Sequence, residues 1–83
     1  MNKVLVKLYV PILEEEYEIW IPLNKRIINV IKLLMKSVSE LSGGEYAPDK
    51  LPLLYDRATG MPFDVNSIVN DTSIRNGSEV ILI

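Results

Sequence analysis

The sequence has no cysteine and no histidine. Those two absences exclude disulfide frameworks, thiolate nucleophiles, cysteine–histidine zinc sites, iron–sulfur ligation and imidazole general bases. An excess of either charge is also missing. Nine Lys and Arg stand against eleven Asp and Glu, for a net charge of -2. The cations are scattered along the chain, which argues against a nucleic-acid footprint. No segment approaches the ~20 apolar residues of a membrane-spanning helix. The opening MNKVLVKLYVPIL is interrupted by Lys7, meets Pro11 and offers no small-residue cleavage site, so a strand is expected there rather than a leader. A soluble, cytoplasmic protein is the expectation, with no direct membrane insertion.

What remains is a short apolar chain of 83 residues, 48% hydrophobic. That length predicts a single domain over 1–83, and the apolar fraction supplies a core despite the small size. Residues Lys3–Val10 alternate, with Val4, Val6, Leu8 and Val10 on one face. Residues Glu16–Leu23 do the same, placing Tyr17, Ile19, Ile21 and Leu23 together. The PILEEE between them is expected to be a hairpin tip with three solvated carboxylates. Asn24 is a predicted N-cap for a helix over Lys25–Leu41, whose stripe is Ile27, Val30, Ile31, Leu34, Val38 and Leu41. Leu33 falls among polar positions and should be exposed. Gly43-Gly44 stops the helix through glycine's access to positive φ.

LPLLYD and MPFD follow as short extended pieces around an RATG turn, Pro62 limiting the second to an edge or a very short pairing. Asn76-Gly77 makes a tight turn, and Glu79–Ile83 is the final strand. One amphipathic helix needs a sheet face to cover, so the architecture is an α+β layer pair. The final strand is the most hydrophobic and is expected to be central, parallel to the first. The result is a β-grasp: a mixed sheet of four to five strands with one long helix packed on one face.

The run NDTSIRNGSEVILI resembles the closing segment of ubiquitin-like domains, with Ile74, Asn76-Gly77, Val80 and Leu82 at matching spacing. KVLVKLYV, YEIWIPLN, the helix and LPLLYDRATGMPFD follow in the order of that superfamily. Within it the chain looks most like the small YukD/EsaB-type proteins of type VII secretion in Gram-positive bacteria. The resemblance implies a non-catalytic, non-conjugated protein-interaction module, an accessory or regulatory component of such a system. Its partners would be proteins, among them membrane or ATPase components of the secretion machine, or a second copy bound through the open sheet face. The alternative is a ubiquitin-like modifier or sulfur carrier lacking, or truncated before, its C-terminal Gly-Gly; that chemistry needs the flexible tail, whereas Ile83 is expected to lie in the last strand.

Alternation also selects a surface. Leu5, Lys7, Tyr9, Trp20, Ile81 and Ile83 point away from the helix, and apolar residues concentrated on one uncovered face mark a partner-binding patch. The resemblance points to the same face, a common partner surface of ubiquitin-like domains. For catalysis the remaining groups are Glu14–Glu16, Asp56 with Arg57, and Asp64 with Asp71, all in turn-like segments where acids favour tips and caps. They present no nucleophile with a base, so neither an enzyme nor a cofactor is expected.

Overall fold

Alternation becomes geometry first in β1 (Lys3–Val10), where Val4, Val6, Leu8 and Val10 are buried while Lys3 and Lys7 stay exposed. The computed structural model, which describes residues 2–83, pairs this strand antiparallel with β2 (Glu15–Pro22). The connection is tighter than PILEEE suggests. Pro11–Leu13 form one 3-10 turn, and Glu14 closes it at φ 52 with its N–H donating to the Pro11 carbonyl at 3.0 Å. Because Val10 pairs with Glu15, Glu15 and Glu16 already belong to β2, and of the three carboxylates only Glu14 sits at the tip.

Helix α1 spans Ile27–Leu41 and buries Ile27, Val30, Ile31, Leu34 and Val38. Its end carries Gly43 at φ 66 and Gly44 at φ 88, the latter donating its N–H to the Ser39 carbonyl at 2.8 Å. Leu33 is exposed as expected, but Leu41, expected in the buried stripe, is exposed as well. The start also differs from the expectation. Arg26, not Asn24, is the N-cap; its backbone is extended and bridges Ile68. The first free N–H groups are satisfied from a distant loop: Ile27 donates to the Ser67 carbonyl at 2.8 Å and Ile28 to that of Val65 at 3.0 Å. Backbone from elsewhere in the chain thus does the work of a capping side chain.

Among the described residues the sheet has four strands in the order β2-β1-β4-β3, with β3 at Leu54–Asp56 and β4 at Glu79–Leu82. β4 lies parallel to β1 and antiparallel to β3, which makes it central. Pro62 contributes one isolated bridge to Tyr55, the very short pairing that a missing N–H permits. β4 stops at Leu82, although the Ile83 N–H still donates to the Leu53 carbonyl at 3.1 Å. Tyr46, Leu54, Val69 and Ile74 complete the core between sheet and helix. Tyr17 and Ile19, which alternation sets on the same face as the buried Ile21, are only partly buried, because β2 is the outer strand of the sheet among the described residues.

Candidate protein-interaction surface

The helix covers one side of the sheet; the register lays out the other. Odd-numbered β1 residues face away from the core; each has a partner on β2, and Lys7 and Tyr9 have one on β4 as well. At one end Leu5 pairs with Trp20. In the middle Lys7 sits between Glu18 and Glu79. At the other end Tyr9 lies between Glu16 and Ile81, and Ile81 in turn pairs with Tyr55.

Five of the six residues selected from sequence, Leu5, Lys7, Tyr9, Trp20 and Ile81, therefore share the uncovered side of the sheet but do not form one continuous apolar area, while Ile83 lies just beyond the end of β4. Leu5 and Trp20 are separated from Tyr9 and Ile81 by the charged Lys7 row, a distance of about 13 Å along the strand at ~3.3 Å per residue. Trp20 is 52% exposed and Ile83 64%, whereas Leu5, Tyr9 and Ile81 are half-buried. The Leu5 backbone is held on the β4 side by the next turn. Its N–H donates to Asn76 Oδ1 at 2.9 Å, and its carbonyl accepts from the Gly77 N–H at 2.8 Å.

Arg57 spans the second half of this face. Its backbone N–H donates to the Glu79 carbonyl at 3.1 Å, which extends the pairing just beyond β3. From there Nη1 reaches Glu16 Oε2 at 3.4 Å and approaches Glu79 Oε1 at 3.9 Å. The guanidinium carbon lies 5.4 Å from the centroid of the Tyr9 ring. A cation thus covers the aromatic ring between two carboxylates, and part of Tyr9's apolar area is already occupied.

Ile83 opens onto a separate cleft of about 490 Å³, lined by Ile12, Leu51, Leu53 and Tyr55 along with buried Tyr46. Ile12, Leu51 and Leu53 are all exposed, and burial pushes the Tyr46 phenol above its ordinary pKa. Sequence reasoning missed these three aliphatics because they lie outside the periodic segments. One signal was available: Leu51, Leu53 and Leu54 crowd a strand that can bury only alternate residues, so some had to remain outside. Leu54 took the core position.

Of the acids named above, Asp56 and Asp64 hold turns and Glu16 pairs with arginine. Asp56 Oδ1 accepts the Ala58 N–H at 3.0 Å and Asp64 Oδ1 accepts the Asn66 N–H at 2.9 Å, both of them Asx turns. Glu16 is the partner of Arg57. Among the described residues, no helix is long and apolar enough to cross a membrane.

No protein-family model matches the chain, and no curated protein does so. Solved structures do. The EccD5 ubiquitin-like domain from Mycobacterium xenopi superposes with a TM-score of 0.82 at 16% identity, over 100% of this chain and 94% of that one. The ubiquitin-like domain of the Mycobacterium tuberculosis type VII secretion protein ECCD1 gives 0.78 at 13% identity, over 100% and 99%. A chain of the MycP5-free ESX-5 inner membrane complex gives 0.81 at 16% identity, with this chain spanning 21% of its length. Identities this low speak to architecture alone. With one helix on a mixed four-stranded sheet superposing over its full length on these domains, the chain has the ubiquitin-like fold.

Proposed function

We propose that this protein is a non-catalytic ubiquitin-like interaction module that works as an accessory or regulatory component of a bacterial type VII secretion system, in the manner of the YukD/EsaB-type proteins. The observation that carries the reading is the full-length superposition on the EccD5 and ECCD1 ubiquitin-like domains. A fold hosts many roles, so the site must bear its share. It offers an uncovered sheet face with an exposed tryptophan, and an aliphatic cleft beside it, in the range of surfaces that proteins use to bind one another. The partner is a cytoplasm-facing protein component of the secretion machine. The contact uses Leu5, Lys7, Tyr9, Trp20, Ile81 and Ile83, extended by Ile12, Leu51 and Leu53.

Affinity capture with tagged protein from a cell that carries the system tests this. Wild type should retain a membrane or ATPase component of the machine. Trp20→Ala and Ile81→Glu should each lose at least tenfold in affinity for it, while circular dichroism shows the fold intact. Retention of no secretion component, or unchanged affinity in both folded variants, would overturn the assignment.

A further inference from the structure

The outer edge of β2 exposes backbone groups that the bonding pattern identifies one by one. The Leu23 N–H donates to the Asn2 carbonyl at 2.7 Å, whereas Lys7 donates to Ser78 at 2.9 Å and Leu5 accepts from Gly77 at 2.8 Å, both on the β4 side. Combined with the β1–β2 register, this alternation turns the N–H and C=O of Tyr17, Ile19 and Ile21 inward to β1. The N–H and C=O of Glu16, Glu18 and Trp20 point outward, where the sheet order provides no further strand among the described residues.

Such an edge invites another chain unless something blunts it. The register runs unbroken from Lys3–Pro22 to Val10–Glu15, so no bulge interrupts it, and Pro22 stands only at its end. The guard here is negative charge, from Glu14, Glu15, Glu16 and Glu18. Parallel in-register pairing of two copies would set each glutamate against itself. Antiparallel pairing centred on Glu18 would bring the two Glu18 side chains face to face, which is unfavourable. These two registers disfavour a second copy, whereas a strand of opposite charge meets no such repulsion and pairs favourably with Glu16 and Glu18.

We propose that this edge accepts an extended basic segment of another protein as an antiparallel fifth strand. Residues directly opposite one another share a face, so the side chains set against Trp20, Glu18 and Glu16 are read in that order along the incoming strand. The matching pattern is apolar–x–basic–x–basic. The x residues lie beside Ile19 and Tyr17 on the helix side. There a groove of about 320 Å³ is lined by Leu13, Tyr17 and Leu41 with Glu15 and Glu45, and no Lys or Arg lines it. β-branched residues suit these positions through their strand propensity. The Arg57–Glu16 pair is solvent-exposed on both sides, so an incoming cation can replace Arg57 at little cost. This edge is separate from the Ile83 cleft, and its chemistry stands whether or not the partner belongs to a secretion system.

The test is titration of the ¹⁵N-labelled full chain with the synthetic peptide acetyl-SLVKVRVS-amide, with acetyl-SLVEVEVS-amide as the control. The basic peptide should slow hydrogen exchange at least tenfold at the Glu16, Glu18 and Trp20 amides, and the acidic one should not bind. Glu18→Lys should weaken basic-peptide binding tenfold or more, with Glu16→Gln causing a smaller loss. Equal binding of both peptides would overturn the proposal, as would perturbations confined to the Ile83 cleft or the helix. Concentration-dependent protection of the same three amides without peptide would assign the edge to a second copy instead, and would equally overturn it.

Discussion

Arg57 and Tyr9, far apart in sequence, meet on the uncovered sheet face with the guanidinium carbon 5.4 Å from the ring centroid. Glu16 and Glu79 hold the same group at 3.4 Å and 3.9 Å. One side chain thereby joins β1, β2 and β4 from the solvent side.

Arg57→Ala should lower the unfolding free energy by roughly 1 kcal/mol in urea denaturation. Exposed cation–π contacts contribute about 0.5–1 kcal/mol, and exposed ion pairs add little beyond that. Arg57→Lys should recover only part, since lysine lacks the planar fork that stacks and bridges together. The deficit of the alanine variant should shrink as salt rises. A loss of several kcal/mol would mean that Arg57 does more than its exposed position accounts for.

The turn before β4 carries a second prediction. Gly77 sits at φ 84, and its N–H holds the Leu5 carbonyl while Asn76 Oδ1 receives the Leu5 N–H. An added Cβ at Gly77 would meet nothing within 4 Å, so the cost of Gly77→Ala is conformational rather than steric. It should amount to about 1–2 kcal/mol, the penalty for an L-residue in the left-handed region. Asn76→Ala should cost about 1 kcal/mol through the unpaired strand N–H. Equilibrium denaturation of both variants measures this, and no loss in either would contradict the turn's role.

Tyr46 carries the third. Burial raises its phenol pKa above the ordinary 10.0, so the folded state holds that proton more tightly than the unfolded state. The resulting stabilisation is complete below pH 10 and is lost as pH rises from there through the folded-state value. Wild type should therefore lose stability in that alkaline window faster than Tyr46→Phe, which has no phenol to ionise. Parallel urea midpoints for the two proteins across the window would refute the account.

Much of the fold was legible because periodicity reports burial directly. Val4, Val6 and Leu8 alternate in one strand, and Ile27, Val30, Ile31, Leu34 and Val38 recur at helical spacing; all are buried. The parallel placement of β4 beside β1 followed from its hydrophobicity and the need for a crossover. The errors have a common physical cause. The helix begins at Ile27 because the carbonyls of Val65 and Ser67 cap it from a distant loop, and no local pattern near Asn24 can encode that. The Arg57 bridge and the grouping of Ile12, Leu51 and Leu53 around Ile83 are likewise contacts between segments without periodicity. Alternation placed six residues on one side of the sheet, but it could not reveal that Lys7 and its glutamates divide them.

The parallel ladder joining Lys7, Leu8 and Tyr9 to Glu79, Val80 and Ile81 also has a mechanical meaning. β1 and β4 are the first and last strands of the sheet, lie side by side and run in the same direction. Tension applied before β1 and after β4 drags them past each other along their length. The ladder's hydrogen bonds are then strained simultaneously, not peeled one at a time as in a hairpin opened from its end. Held at both ends, the domain would resist extension through this central pair and would yield abruptly once it slipped.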